Sequence, residues 1–290
     1  MLFAAAEAAH AAVEKKQVAP FDHVRDSHEI HVFDNLHIHL PEPVTKFHLI
    51  LALSALLVGV LVIWVANKIA SGEPPKGRLW NLIESLLLFI RDKVARPSLG
   101  EHDADKYMPF LTTLFLFIFA NNLFGMLPFL GSPTAHIYVT GALALVSFLV
   151  IHTSGIIENG FGHYLKSFIP HIEVDNAAIK YGMIAMMAPL EYMTAFIRAI
   201  ILAVRLFANM LAGHTVLFVI LFFIQLVANP EYQIDIAKGN EGWMYWLVAP
   251  FSVLMVTALS LLELFIAGLQ AFIFTFLTAI FISLAKHPAH

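Results

Sequence analysis

The 290-residue chain contains no cysteine. Disulfides, iron–sulfur clusters and thiol catalysis are therefore excluded. Charge is also scarce. Charged residues make up 13% of the chain, against about 25% in an ordinary soluble domain. The net charge of −4 is too close to balance to suggest nucleic acid or a polybasic lipid patch as a partner. No glycine-rich phosphate loop ending in Lys and Ser/Thr is present, so nucleotide chemistry is not expected here. Residues 1–12 lack a basic n-region and carry the acidic Glu7, so neither a secretory signal nor a transit peptide is expected.

What the chain does have is apolar surface. It is 59% hydrophobic, with 25 phenylalanines, more than a soluble core needs. This predicts an all-α integral membrane protein with five membrane-crossing helices, two of them long, tilted and antiparallel, plus one amphipathic surface helix. Residues 1–46 are expected to form a polar, His-rich arm and residues 47–290 a membrane domain. In the arm, EIHVFDNLHIHLP alternates, as a short strand or an interfacial segment would. Its histidines, among them His10, His23, His28, His31, His37 and His39, show no recognisable ligand spacing.

Residues 47–70 give the first span, long enough for a hydrocarbon core of about 30 Å. The run SGEPPKG then breaks the helix. Residues 78–95 place Leu79, Leu82, Ile83, Leu86, Leu87 and Ile90 at helical spacing between charges, the pattern of a surface helix. The second span covers 108–130. Its Asn121 and Asn122 either line a channel or bond a neighbouring helix. The third span, 137–157, contains His152, which is expected to bond a neighbour, and residues 158–180 read as a polar loop. The apolar stretch 181–228 would be roughly 70 Å long as one helix. It is either a hairpin or a single tilted helix, and with no turn signal inside it the single helix is expected. After a polar loop at 229–242, residues 243–286 form the second overlong helix. Ten Lys/Arg on one side of these crossings face five on the other, which predicts the N-terminus outside and the C-terminus inside.

The long helices carry the polar residues. A cation near mid-membrane costs at least about 2.5–3.5 kcal/mol unless relieved, so Arg205 is a functional candidate by default. Asn209 and Gly213 follow it at i+4 and i+8 on one face, and Arg198 lies near that face. His214 is half a turn round from Arg205 and about 13 Å further along. On the second long helix Glu263 and Gln270 share a face. With Gln270 level with Arg205 in an antiparallel pair, His214 and Glu263 fall at similar depth. That gives a proton-exchanging pair to one side and an Arg–amide pair near the middle. Arg205 cannot release a proton. It is useful if a carboxylate on another subunit passes it, since a nearby cation holds an acid ionised. The plain alternative is a structural Arg–Glu pair within the chain. Glu191, two further heptads back, either lines an exit path or pairs with Arg198.

These residues resemble a known family. AVRLFANMLAGH at 203–214, LQAFIFTFLTAIF at 269–281 and NNLFGMLP at 121–128 are similar to subunit a of the membrane sector of F-type rotary ATP synthases, over about residues 47–286. The resemblance implies a non-catalytic, proton-translocating stator subunit beside a proteolipid c-ring, with peripheral-stalk b subunits and membrane lipid as partners. Two half-channels would be separated by Arg205, and proton flow through them would drive ring rotation and ATP synthesis. It implies that Asn209 and Gln270 accompany the Arg, and that His214 and Glu263 form the outer half-channel. Glu191 would belong to the inner one. No cofactor or metal is implied, and the membrane would be a bacterial inner membrane. Two other classes fit less well. A proton-coupled secondary transporter would usually show internal repeats and broken helices, and neither is visible. A haem subunit needs axial histidines, and the spans offer chiefly His152 and His214, without paired spacing.

Overall fold

The computed structural model describes residues 29–33, 36–39, 45–71, 77–127, 131–167, 177–228 and 243–287. Side chains are described from residue 45 onward, except at 177–181, 218, 221–228 and 243–249. His10, His23, His28, the 229–242 loop and most of the SGEPPKG break lie outside the described residues. The alternating arm segment forms an antiparallel hairpin of β1 (Glu29–Phe33) and β2 (Leu36–His39), with Glu29 opposite His39 and Ile30 opposite Ile38. Among the described residues no cluster of His, Asp and Glu is placed to hold a metal.

Among the described residues five helices are long and apolar enough to cross a membrane. α1 (Lys46–Ala70) starts at Thr45, whose hydroxyl lies 2.6 Å from His48 Nδ1 across the first turn. α2 (Arg78–Ile90) is the amphipathic helix. It does not end at residue 95 as the sequence pattern suggested. It runs through a π-helical turn, Arg91–Ala95, into α3 (Arg96–Gly125). The true break is Gly100, at φ 79° and ψ 172°, a conformation that only glycine adopts without strain. The span that follows ends at Gly125 rather than near residue 130. A short 3₁₀ turn, Pro133–Ala135, leads to α4 (Ile137–Asn159). The expected 158–180 loop is partly helical: α4 continues to Asn159, and α5 (Phe161–Ser167) folds back against it.

The overlong stretch is one helix, α6 (Ala177–Ala228), 52 residues with Pro189 inside it. At 1.5 Å per residue it is about 78 Å long, so it crosses obliquely or projects beyond the bilayer. α7 (Trp243–Lys286) pairs with it. The core lies where α3 and α4 pack on this pair, and Ile90, Leu111, Ile118, Leu206, Phe274 and Ile282 are fully buried there.

Buried polar bonds fix the helices at set heights. Ser54 Oγ donates to Asn121 Oδ1 at 3.1 Å, tying α1 to α3. Asn122 Nδ2 donates to the Ala267 carbonyl at 3.3 Å, and Asn122 Oδ1 accepts from Thr134 Oγ1 at 2.9 Å. Of the two readings of this asparagine pair, the structure shows the one that bonds neighbours. At the opposite end, the deeply buried Lys286 joins Asp103, and Glu158 at 3.1 Å, closing α7 onto α3 and α4.

Candidate functional site: a cation between two cavities

Asn122 grips α7 at Ala267, between Glu263 and Gln270. Both of those side chains are buried, at 6% and 5% exposure, and Glu263 faces α6 at Gly213. His214 is also buried, with Nδ1 3.8 Å from Glu263 Oε1. The similar depth expected from helical rise is therefore what the helices adopt. Gly213 permits the approach, since a Cβ there would stand 2.7 Å from Glu263 Oε1. Asn209, Gly213 and Glu263 line a cavity of about 200 Å³ between the two helices.

This site is rich in buried polar atoms that lack hydrogen bonds. Among the described residues nine buried side-chain atoms are so placed. Five of them are Asn209 Nδ2, His214 Nε2, both oxygens of Glu263, and Gln270 Nε2. Native interiors hold few such groups, and a cluster of them fits a place that takes up water or protons.

Arg205 is on the other side of α6 from His214, as the half-turn spacing requires. It is exposed, near the middle of the helix, beside the exposed Ile201 and Val204. Among the described residues no carboxylate pairs with it, so the structural Arg–Glu pair is not formed there. The expected Arg–amide pair is not formed either. Gln270 is buried with Nε2 unpartnered, while Arg205 is exposed.

A second cavity of about 200 Å³ lies further back along α6, lined by Glu191, Arg198, His152, Tyr164 and Ser147 among others. Glu191 is exposed and, among the described residues, is not ion-paired to Arg198, whose guanidinium lies 5.5 Å from the Phe281 ring centroid. Along α6 the lining of this cavity ends at Leu202, and that of the first cavity begins at Asn209. Along α7 the limits are Phe281 and Ile266. Arg205 and Gln270 fall in the segment between, and neither lines either cavity.

Comparison with known proteins agrees with this architecture. The family model described as ATP synthase A chain matches residues 48–283. The chain belongs to the ATP synthase A chain family. It is 36% identical over 248 residues to ATP synthase subunit a of Myxococcus xanthus, covering 85% of this chain and 74% of that one. It is 33% identical over 280 residues to the subunit a of Chloroherpeton thalassium, covering 92% and 77%. Against the subunit a of Anaeromyxobacter dehalogenans it is 38% identical over 238 residues, covering 82% of this chain but only 56% of that longer relative. As a member of this family the chain is a multi-pass membrane subunit of an ATP synthase.

Sequence reasoning missed two residues of this family member's second cavity. Tyr164 falls in the expected loop, yet its hydroxyl is 2.6 Å from His152 Nδ1. Burial, with help from Tyr192, pushes that hydroxyl up to about 12. Gly155 makes room for it, since a Cβ there would collide with the Tyr164 ring. Ser147 is buried with its hydroxyl unpartnered. The small residues Ala144, Ser147 and Gly155 share one face of α4 and signal a close neighbour there, though not which residue supplies it.

Proposed function

We propose that the chain is the proton-translocating stator subunit of an F-type ATP synthase. The observation that supports this best is the position of Arg205, exposed, without an ion-pair partner among the described residues, and between two cavities that each hold a carboxylate, Glu263 in one and Glu191 in the other. A proton enters by the cavity that Glu263 lines, with His214 beside it at 3.8 Å, and both can exchange protons. It passes to a mid-membrane carboxylate on a neighbouring proteolipid ring. Ring rotation carries that group round, and it releases its proton into the cavity of Glu191. Arg205 keeps the arriving carboxylate ionised, because a cation within about 4–6 Å lowers an acid's pKa by about 1–3 units. Being permanently charged, it also blocks a direct path between the cavities. Asn209 and Gln270 flank it and supply polar groups on the cavity side. Rotation drives ATP synthesis elsewhere in the complex, and this chain performs no nucleotide chemistry itself.

The c-ring and peripheral-stalk b subunits are the partners of this reading. The membrane is a bacterial inner membrane, with the N-terminus outside and the C-terminus inside, and residues 1–46 form an arm appended to the membrane domain. The absence of cysteine makes the test direct. Single substitutions Val216→Cys and Ala195→Cys are introduced into the assembled complex in oriented vesicles. A membrane-impermeant thiol reagent should reach the first only from outside and the second only from inside. Access to both from one side contradicts two offset half-channels.

A further inference from the structure

Between α1, α2 and the base of α3 lies a larger slot of about 450 Å³ that takes no part in the proton path. Its walls are apolar, among them Leu61, Val65, Ile69, Trp80, Met108 and Leu116. Trp64 and Trp80 meet edge to face at 5.4 Å beside it, bridging α1 and α2. Its charged groups, Glu84, Arg91 and Asp105, all belong to α2, the turn after it and the start of the span. Arg91 Nη2 lies 2.8 Å from Asp105 Oδ1. The slot is therefore amphipathic along the membrane normal.

Its dimensions decide what fits. From Asp105 to Leu116 on the span is about 16 Å, and from Leu61 to Ile69 on α1 about 12 Å. Half of a hydrocarbon core of about 30 Å is about 15 Å, so the slot reaches through one leaflet. A helix of about 10–12 Å diameter fills roughly this volume with a single turn, so a partner helix cannot enter it along its length. An extended alkyl chain can. At the mouth, two carboxylates and one guanidinium match a headgroup that carries both a phosphate and a cation.

We propose that this slot is a binding site for one glycerophospholipid with an ammonium-bearing headgroup. One acyl chain runs down the slot from the interface. The phosphate meets Arg91, and the ammonium meets Glu84 and Asp105. The lipid wedges α1 against the amphipathic helix where few side chains join them.

The test is photolabelling of native membranes containing the full chain, using phosphatidylethanolamine with a diazirine at mid-chain, followed by peptide mapping. Label on residues 61–69 and 108–116 should exceed that at the bilayer-facing Leu56 and Val60, which are 65% and 61% exposed, by about tenfold. Ala66→Trp, at an exposed position on the slot wall, should return the label to the Leu56 level while ATP-driven pumping persists. A phosphatidylglycerol probe with the same chain should label less, and Glu84→Gln should close that gap. Equal labelling of slot and bilayer-facing residues in the native chain overturns the site. So does a photo-crosslink from the slot to a partner polypeptide. A phosphatidylglycerol preference overturns the headgroup assignment.

Discussion

His214 Nδ1 stands 3.8 Å from Glu263 Oε1 across the interface of the two long helices, with Gly213 supplying the space between them. The two residues are far apart in sequence and meet because two antiparallel helices keep a fixed register. Gly213→Ala should therefore act on function rather than on folding. The new methyl meets the far end of a flexible carboxylate, so the stability cost should stay below about 1 kcal/mol. The carboxylate must shift, and ATP-driven proton pumping should fall severalfold with unchanged subunit levels in the membrane. Normal pumping would mean that this contact does not matter to flux.

The pair should also behave as a unit. His214→Ala and Glu263→Ala are expected to lower the pumping rate separately, and the double variant should lose less than the sum of their free-energy effects. Contacting residues show coupling of about 0.5–3 kcal/mol. Strict additivity in a double-mutant cycle on initial pumping rates would show that the two act independently.

Much of this geometry is legible in the sequence. The length of 181–228 leaves a hairpin or one long helix, the lack of a turn signal favours the single helix, and α6 is one helix. Rise and rotation per residue place His214 beside Glu263 and opposite Arg205. The failures are tertiary or conformational. The hydrophobic pattern ends the surface helix at residue 95 and does not register the π turn at 91–95 or the continuation to a break only at Gly100. Helical arithmetic puts Arg205 and Gln270 level, but it carries no information on where a long, flexible guanidinium turns. Tyr164 reaches His152 only because α5 folds back on α4, a contact that no local periodicity encodes.

Asn122 holds the register of α7. Asn122→Leu keeps the volume but removes the bond to the Ala267 carbonyl and the acceptor for Thr134. Leaving buried polar groups unsatisfied costs about 1–3 kcal/mol each. The detergent-solubilised chain should show a lower thermal unfolding midpoint, with Asn122→Gln less severe. An unchanged midpoint would show that the register is set by apolar packing alone.

Gly155 is the seat of the Tyr164 ring and also faces α7, where a Cβ added at this position would stand 2.8 Å from the Ala285 carbonyl oxygen. Gly155→Val should overpack this joint and destabilise the protein by about 1–3 kcal/mol. Gly155→Val combined with Tyr164→Ala should recover only part of the loss, because the backbone carbonyl cannot move aside. Full recovery would place the whole clash on the tyrosine.

The central claim is that Arg205 both separates the two cavities and holds a passing carboxylate ionised. The most direct measurement is ATP-driven acidification of inverted membrane vesicles, comparing the native chain with Arg205→Ala and recording ATP hydrolysis and passive proton leak in parallel. The account predicts that pumping is abolished, that hydrolysis continues and that passive leak rises. Pumping at the native rate in Arg205→Ala would contradict it.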